Sequence, residues 1–502
     1  MVSYFIAIDQ GTTGTTALLV KVKSEDQSIE VLDKSTSQFP QYYPQSGWVE
    51  HDLDEIWNSI VSAVSHVLEK SSIKADDLSG IGITNQRETL CFYDRKSGQS
   101  ARKAIVWQCR RSANICKELM AEKDWIVEKT GLQLDPYFTA SKIKWIAQNE
   151  PDLHKKITDG HIVISTIDTW LIHRLTSGES FFTEPSNASR TMLMDLKTCQ
   201  WDKKLLDIFE VPQGSLPEIK ESAGCFGETR GLDFLADGIP ILGVLGDQQA
   251  SLLGQSAVSK GDLKCTFGTG AFLLMNIGDE CKLSQHHLIT TVAWSIGGKV
   301  TYALEGSAFI AGAAVQFARD EMKWFDQAED SERLASQVSA APDLYFVPAL
   351  TGLGAPSWNA EARGAYLGLN RSTTANQMVR ATLEGIAFSV GDLVEALSQD
   401  AQPIICESMR VDGGASANSV LMQLQSDMTG LRVDRSVHLE STGLGAAFVA
   451  MLGAGAVKQV SDFESFRQSA AFYTQNLSAD DVNQWKSGWK RAVRAVDIFS
   501  KE

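Results

Sequence analysis

One pattern occurs twice in this chain and constrains its fold more than any other feature: an apolar run, a glycine/threonine turn, and a second apolar run. The first copy occupies residues 4–8, 11–16 and 17–22, and the second occupies residues 264–267, 268–270 and 271–277. Short apolar runs on either side of a glycine turn are typical of paired strands. The repeat predicts two similar α/β halves, residues 1–250 and 251–502, with a boundary near residues 246–256.

Helix and strand patterns occur within each half. Asp52, followed three residues later by Glu55, is typical of a capping box, and apolar residues at helical spacing follow as far as residue 68. Residues 78–84 and 89–93 predict strands around the polar segment 85–88. In the second half, the sequence predicts a strand over 301–305 before an Ala/Gly-rich helix, a strand over 408–411, and a helix over 418–428.

The charge of the chain restricts the class of partner. Its 502 residues carry 46 Lys and Arg against 62 Asp and Glu, a net charge of −16, which argues against binding to nucleic acid or an anionic membrane. Small or uncharged partners are expected. The eight cysteines include no CxxC pair, no apolar run is long enough to span a membrane, and the N-terminus resembles no secretory signal. A reducing cytoplasm is the predicted location.

The first candidate binding segment follows the first predicted strand. Asp9 directly follows the run 4–8, and Thr12, Thr13 and Gly14 lie in the loop that continues from it. Backbone N–H groups near glycine approach anions closely, hydroxyl groups donate further hydrogen bonds, and an acidic residue at a strand end can hold hydrated Mg²⁺. We interpret the segment as a phosphate cradle. A hairpin turn rich in turn-forming residues is the alternative.

A second candidate lies where an apolar run ends. Asp247 and Gln248 follow the run 239–245. Sheets of α/β proteins bind ligands at the carboxyl ends of their strands, where a carboxylate can accept the proton of a hydroxyl nucleophile. The alternative is that Asp247 only caps the N-terminus of a helix.

Two later glycine turns repeat the phosphate-binding chemistry. Thr269 lies between Gly268 and Gly270, and paired glycines in segment 412–418 precede a helix, whose dipole favours anions. Taken alone, each segment is better explained as a tight turn. The chain has no Walker A, protein-kinase, HExxH, GxSxG or complete GxGxxG motif. Together the loops therefore favour nucleotide binding without a P-loop lysine.

A set of motifs, in order along the chain, identifies a family. They are DQGTT (9–13), ITNQRET (83–89), IVWQCRR (105–111), DPYF (135–138), NASRTM (187–192), GDQQA (246–250), FGTG (267–270), YALEGS (302–307), TGLGAP (351–356) and VDGGAxAN (411–418). The set closely resembles the FGGY carbohydrate kinases of the actin/Hsp70/hexokinase superfamily, from about residue 4 to residue 495. The resemblance implies two ribonuclease-H-like domains flanking an interdomain cleft, with glycerol held mainly by the first and MgATP mainly by the second.

The resemblance also implies roles for individual residues. Those that match the family's polyol contacts are Arg87, Glu88, Tyr137, Asp247 and Gln248, with Trp107 and Phe272 as apolar walls. Those that match its nucleotide contacts are Thr12, Thr13, Gly14, Thr269, Gly312, Gln316, Gly414 and Asn418, and Asp9 matches the carboxylate near Mg²⁺. Outside the motifs, a surface ion pair of Arg87 with Glu88 and core positions for the aromatic residues would be the simpler interpretation.

The implied reaction is the ATP-dependent phosphorylation of glycerol to sn-glycerol 3-phosphate, the first step of glycerol catabolism, with Asp247 as the base. The resemblance further implies Mg²⁺ and a homodimer or homotetramer. Two alternatives stay open: an FGGY kinase for another polyol or sugar, and a non-kinase ATPase like actin or Hsp70. Thr16 occupies the position of a family arginine directed at the nucleotide phosphates. Either another cation compensates, or ATP is bound less tightly.

Overall fold

The computed structural model describes residues 2–23, 28–339, 341, 343–438 and 440–501. The strands before residue 255 are β1 (Val2–Gln10), β2 (Gly14–Lys23), β3 (Ser28–Gln38), β4 (Glu50–His51), β5 (Leu78–Asn85), β6 (Cys91–Asp94), β7 (Ala104–Ile105), β8 (Ile162–Ser165), β9 (Phe182–Thr183), β10 (Met194–Asp195), β11 (Gln200–Trp201), β12 (Glu218–Ile219), β13 (Ala223–Glu228) and β14 (Pro240–Gly246). The helices of this part are α1 (Leu53–Ser71), α2 (Ala113–Glu118), α3 (Lys123–Thr130), α4 (Thr139–Asn149), α5 (Pro151–Thr158), α6 (Ile167–Leu175), α7 (Pro185–Ala188), α8 (Lys203–Ile208) and α9 (Asp247–Gly254).

The strands after residue 255 are β15 (Leu263–Phe267), β16 (Ala271–Gly278), β17 (Ile289–Ile296), β18 (Lys299–Ala308), β19 (Tyr345–Val347), β20 (Ala365–Leu367), β21 (Ser408–Asp412), β22 (Arg432–Ser436) and β23 (Ser469–Tyr473). The helices of this part are α10 (Gly312–Asp320), α11 (Asp330–Ser336), α12 (Ala375–Ala401), α13 (Ser419–Thr429), α14 (Ser441–Gly453) and α15 (Ala479–Phe499). No helix in the described ranges combines the length and the apolar composition that crossing a bilayer requires.

Two large sheets share one topology. The first has the order β13-β14-β5-β1-β2-β3, in which β1, β2 and β3 form an antiparallel meander while β5 and β14 continue in parallel on the other side of β1. The second has the order β17-β18-β16-β15-β21-β22-β23, in which antiparallel β18, β16 and β15 are followed by parallel β21 and β22. The predicted α/β class with two similar sheets is confirmed, and the division at residue 250 stays a prediction.

The first hairpin has a shorter turn than the sequence predicted. Gly14 already begins β2, so the predicted loop was wrong for residues 14–16. The hydroxyl of Thr15 is buried and lies 2.7 Å from that of Ser59 on α1, while Thr16 pairs with Asp9 in the ladder. Buried hydroxyl groups need such partners, and β-branched residues suit strands, so the strand extends to the glycine.

Helix α1 confirms the helix predicted after Asp52, but without the capping box. Asp52 is the N-cap and accepts a hydrogen bond from Asp54 N at 3.0 Å. Glu55 instead accepts a hydrogen bond from the hydroxyl of Tyr42 at 2.7 Å. A tertiary contact, which the local pattern does not contain, therefore takes the side chain away from the helix start.

A close crossing of α9 and α14 joins the two halves. Helix α14 comes from the second half, yet its apolar side packs with Phe5 and Ala7 of the first sheet in one buried cluster. A Cβ on Gly445 would lie 1.8 Å from the carbonyl oxygen of Ala250, and one on Gly254 would lie 1.8 Å from that of Ser441. Only glycine permits this approach, which fixes the position of α9.

We expect Gly445→Ala to lower the free energy of unfolding by about 2–3 kcal/mol, because the added methyl group meets helix backbone that must move. Gly214 lies in a short exposed turn, and a Cβ there meets nothing within 4 Å. Gly214→Ala is therefore the matched control, with an expected change below about 0.5 kcal/mol. Urea denaturation measures both, and equal losses in the two variants would contradict the close crossing.

Candidate active site

Asp247 is the first residue of α9, directly after β14. Gly246 takes the N-cap position, so the interpretation of Asp247 as a mere helix cap is wrong. The Oδ1 atom of Asp247 accepts a hydrogen bond from Gln248 N at 2.7 Å and lies 3.0 Å from Nε of Arg87. No described residue donates to Oδ2, and 26% of the side chain is exposed. One carboxylate oxygen is thus held while the other is free to meet a ligand.

Arg87 binds carboxylates from two parts of the chain. Its Nη1 and Nη2 atoms donate to the two carboxylate oxygens of Glu305 on β18, at 2.6 and 3.0 Å, while its Nε lies beside Asp247. Glu88 is also buried and pairs with Arg190, whose Nε donates to Glu88 Oε1 at 2.6 Å. The interpretation of Arg87 and Glu88 as a surface ion pair is therefore wrong.

Glu305 joins the two arginines into one network. Nη2 of Arg190 lies 3.1 Å from Glu305 Oε1, so an unbroken ionic chain runs from Glu88 through Arg190, Glu305 and Arg87 to Asp247. Burial alone would raise the pKa of Glu305, but Arg190 and Arg87 together lower it to about 2. Burial raises the pKa of Asp247, and the charge of Arg87 opposes that rise. Asp247 is thereby a stronger base than an ordinary surface carboxylate.

An aromatic wall lies next to this network. The rings of Trp107 and Tyr137 meet edge to face with their centroids 5.4 Å apart, and the guanidinium of Arg190 lies 5.6 Å from the Tyr137 ring. The indole Nε1 of Trp107 donates to the hydroxyl of Thr12 at 2.9 Å. A predicted wall of the polyol site and a predicted nucleotide contact therefore touch each other.

Phe272 lies on β16, where it pairs with Ser307 of β18. Two residues further along β16, Leu274 pairs with Glu305. Residues two apart on a strand point to the same side of the sheet, and directly paired residues share a side. Phe272 therefore lies on the sheet face that carries Glu305, the carboxylate bound to Arg87.

Gln248 connects the start of α9 to the second sheet. Its side-chain oxygen accepts a hydrogen bond at 2.5 Å from Nζ of Lys264, a fully buried lysine on β15. Lys264 also donates to the hydroxyl of Thr266 at 3.0 Å.

The turn around Thr269 packs against the start of α10. The carbonyl of Thr269 accepts a hydrogen bond from Ala311 N at 2.8 Å, and that of Gly268 accepts one from Gly312 N at 2.9 Å. A Cβ on Gly312 would lie 2.6 Å from the Gly268 oxygen, so a side chain there would push helix and turn apart. Gln316 lies one turn further along α10 and is exposed.

The glycine pair after β21 forms the tight turn that we gave as the alternative for this segment. Gly413 has φ +84°, and a Cβ there would lie 2.6 Å from the Phe267 oxygen. Gly414 is exposed, with open space where a side chain would be. Asn418 is the N-cap of α13 and accepts a hydrogen bond from Leu421 N at 2.9 Å. Exposed backbone and a helix start thus come together, an arrangement that can also bind an anion.

The first glycine turn closes through a hydrogen bond from Gly11 N to Gly14 O at 2.9 Å. Thr13 is exposed at its tip. Gln41 Nε2 donates to the carbonyl of Thr12 at 2.7 Å, which holds the turn beside Trp107. The three predicted contacts of this turn therefore lie together in one turn, next to Trp107.

Asp9 is the second-last residue of β1, close to this turn, and its side chain makes no hydrogen bond or ion pair with a described residue. Burial raises its pKa strongly, and the negative charges of Asp247 and Glu440 raise it further. A cation would relieve this repulsion, so the carboxylate of Asp9 is suited to serve as one ligand of a divalent ion. The described residues contain no group of three or more His, Cys, Asp or Glu side chains suited to a metal. Such an ion would therefore need ligands from water or a bound phosphate.

Three residues of this arrangement were not predicted as site residues: Arg190, Glu305 and Lys264. Glu305 and Lys264 each lie within a largely buried strand, and all three are fully buried. Charged residues are almost never fully buried unless they are paired. A charged residue at the start of the predicted strand 264–267 and another at the end of the predicted strand 301–305 were the signal that could have found two of them.

Backbone turns suited to phosphate, a partly exposed carboxylate and a site with both ionic and aromatic sides are the features of a small-molecule kinase of the actin-like fold. The comparison with known families agrees. The N-terminal domain model of the FGGY family of carbohydrate kinases matches residues 4–254, and the C-terminal domain model matches residues 263–454. The chain belongs to the FGGY family of carbohydrate kinases.

Within this family the chain is similar to glycerol kinases. It is 42% identical over 499 residues to the glycerol kinase of Enterococcus casseliflavus, covering 99% of this chain and 97% of that protein. The crystal structure of Plasmodium falciparum glycerol kinase with ADP superposes with a TM-score of 0.89 at 34% identity, covering 99% of this chain and 98% of that one. Lactobacillus acidophilus gluconate kinase, at 21% identity, 100% and 99% coverage and a TM-score of 0.87, shows the same fold.

We expect Glu305→Gln to lower the free energy of unfolding at pH 7 by about 3–5 kcal/mol, because two buried arginines lose their shared carboxylate. The pKa of Glu305 is about 2 in the folded chain and near its ordinary value of 4.5 in the unfolded chain. The stabilisation is therefore complete above pH 4.5 and is lost as pH falls toward 2. Below pH 4.5, the difference between wild type and variant narrows by up to about 1.4 kcal/mol per pH unit.

Urea denaturation at pH 7 and between pH 4.5 and 3 measures this difference. Asp159→Asn is the control, since Asp159 pairs with Lys155 at 2.8 Å on an exposed helix end. Its expected effect is below about 1 kcal/mol. A loss in Glu305→Gln no larger than that of the control would contradict the network.

Proposed function

We propose that this chain is an ATP-dependent kinase that converts glycerol to sn-glycerol 3-phosphate. The observation that supports this best is the juxtaposition of the buried ionic chain through Arg87 and Glu88 with the aromatic pair Trp107 and Tyr137. Glycerol has three hydroxyl groups on one edge and C–H groups on the other. A pocket with charged hydrogen-bonding groups facing aromatic rings complements both edges.

The residues proposed to position the substrate are already held in place by other charged side chains. Arg87 is fixed by Glu305 and Asp247, and Glu88 is fixed by Arg190, so neither has to be ordered when glycerol binds. Pre-organised groups lose little side-chain entropy on binding. The charge of Arg87 can therefore serve hydroxyl recognition at little entropic cost.

The proposed reaction is a displacement at the γ-phosphorus of ATP. Asp247 accepts the proton of a terminal glycerol hydroxyl through its free Oδ2 as that oxygen forms the new O–P bond. The bond from the γ-phosphorus to the bridging oxygen breaks, and ADP leaves with that electron pair. The raised pKa of Asp247 favours this proton transfer, while positioning and charge stabilisation lower most of the barrier.

The nucleotide is proposed to lie across the three glycine turns. Backbone N–H groups near Thr12, Thr269 and Gly414 are available for phosphate oxygens, and Gly312 and Asn418 stand at helix starts. Asp9 would hold Mg²⁺ with water and the phosphates. When bound, Mg²⁺ would neutralise charge on the phosphoryl oxygens.

Another polyol or sugar is the second candidate substrate, because the gluconate kinase shares this fold. A non-kinase ATPase of the actin or Hsp70 type is disfavoured, because such a protein has no need of a buried polyol pocket. A homodimer or homotetramer in the cytoplasm stays a prediction.

The direct test is ADP release with MgATP over a panel of glycerol, erythritol, ribitol, xylulose, gluconate and water. The proposal expects glycerol to give turnover well above every other compound. Greater turnover with a pentose derivative or gluconate would assign the second candidate, and equal turnover with water would favour the ATPase.

We expect Asp247→Asn to lower the turnover number by at least about 100-fold, because the amide cannot accept the proton. ADP affinity should stay within about twofold of wild type, since the phosphate contacts lie on other residues. Steady-state kinetics and calorimetric titration with ADP measure the two quantities. Asp159→Asn serves as the control and should keep wild-type turnover; near-normal turnover in Asp247→Asn would exclude the proposed base.

A further inference from the structure

Lys264 is the second residue of β15 and is fully buried, and the apolar residues Leu263, Cys265 and Phe267 of that strand pack in the core. An ammonium group carries three donors, and burial is unfavourable unless they find acceptors. Two acceptors are the side-chain oxygen of Gln248 at 2.5 Å and the hydroxyl of Thr266 at 3.0 Å. Burial lowers the pKa of Lys264 to about 8, against the opposing charge of Asp412. The charged form therefore still predominates at pH 7.

The contacts of Lys264 continue to the third glycine turn. Thr266 pairs with Asp412 across the neighbouring strands β15 and β21. The hydroxyl of Ser251 on α9 lies 2.9 Å from that of Thr266 and 3.4 Å from Oδ2 of Asp412. Asp412 directly precedes the Gly413–Gly414 turn. A continuous set of polar contacts thus links Gln248, a predicted glycerol contact, to the start of a predicted nucleotide turn.

Lys264 also determines which end of the Gln248 amide faces the substrate. A lysine only donates hydrogen bonds, so the carbonyl oxygen of the amide must face it. The amide nitrogen then points away from Lys264 and makes no hydrogen bond to a described residue. It is available to donate to a hydroxyl oxygen of a polyol.

We propose that Lys264 is a positioning residue that orients Gln248 toward the polyol and couples the polyol pocket to the Asp412 turn. The proposal rests on the proposed function, since it needs a hydroxyl compound beside Gln248. It assigns no contact between Lys264 and either substrate. Its consequence is that the loss of Lys264 acts on glycerol binding through Gln248.

A double-mutant cycle on glycerol KM tests this route, with Lys264→Met, Gln248→Ala and the double variant. Lys264→Met removes the charge while keeping an unbranched side chain. We expect each single change to raise the KM for glycerol by about 3- to 10-fold, the range for a lost hydrogen bond between neutral groups. The double variant should be no more than about twofold worse than the worse single variant, because both changes remove one contact. If the fold-changes in KM of the two single variants multiply in the double variant, the proposal is overturned.

Lys142→Met is the matched control for a buried lysine. Lys142 is also fully buried, but its Nζ donates to the carbonyls of Pro136 and Tyr137 at 2.6 and 2.8 Å. It shares no partner with Gln248, so its effect on KM should multiply with that of Gln248→Ala. If Lys264 had only a structural role, the effect of Lys264→Met on KM would also multiply with that of Gln248→Ala, as it does for Lys142→Met. Far-ultraviolet circular dichroism and ADP titration verify that each variant is folded.

The coupling is measured by titrating ADP with and without saturating glycerol. The ratio of the two affinities should exceed one in the wild type and approach one in Lys264→Met, but not in Lys142→Met. An unchanged ratio in Lys264→Met would contradict the link to the Asp412 turn.

Failure of the proposed function is distinguishable from failure of this inference. If the substrate panel selects another polyol, the same cycle is run with that compound, because the argument needs only a hydroxyl group at Gln248. Non-additive effects on the KM for that compound would then support the inference, although the assignment of glycerol as the substrate would be wrong. If no compound in the panel is phosphorylated, both proposals fail together.

Discussion

The structure depends on one buried carboxylate shared by two arginines. Glu305 comes from the second sheet, while Arg87 and Arg190 come from the first half of the chain, and all three are buried. Three buried charges are stable only when each keeps its partners, because an uncompensated charge in the interior is strongly destabilising. The network therefore restricts the two sheets to an arrangement in which Arg87 lies between Glu305 and Asp247. The polyol pocket that we propose needs that arrangement.

Close packing fixes the position of helix α9, which the ionic network alone does not determine. Helix α9 carries Asp247 at its start, and its far end crosses α14 at a distance that only Gly254 and Gly445 permit. The helix is thus held by backbone contact at one end and by Arg87 at the other. The carboxylate of Asp247, which we propose as the base, is consequently positioned before any substrate binds, and such prior positioning is the condition under which a base contributes most to a phosphoryl transfer.

Local patterns in the sequence predicted the hairpins and the helix well. They did not predict which residues far apart in the chain contact each other. The repeated hairpins and the helix after Asp52 follow from periodicity and turn residues, which are local properties. The strand continuing through Thr15 depends on Ser59, 44 residues away, and the burial of Arg87 depends on Glu305, 218 residues away. No local pattern contains such contacts. Family motifs named the candidate residues, but only the fold showed that Glu305 orders them.

The account is tested most directly by a crystal structure with glycerol, Mg²⁺ and a non-hydrolysable ATP analogue. It predicts a terminal glycerol hydroxyl about 2.6–3.2 Å from Oδ2 of Asp247. The same oxygen should face the γ-phosphorus, with Arg87 still bound to Glu305. Glycerol and the γ-phosphate in separate pockets, or Asp247 turned away from both, would contradict it.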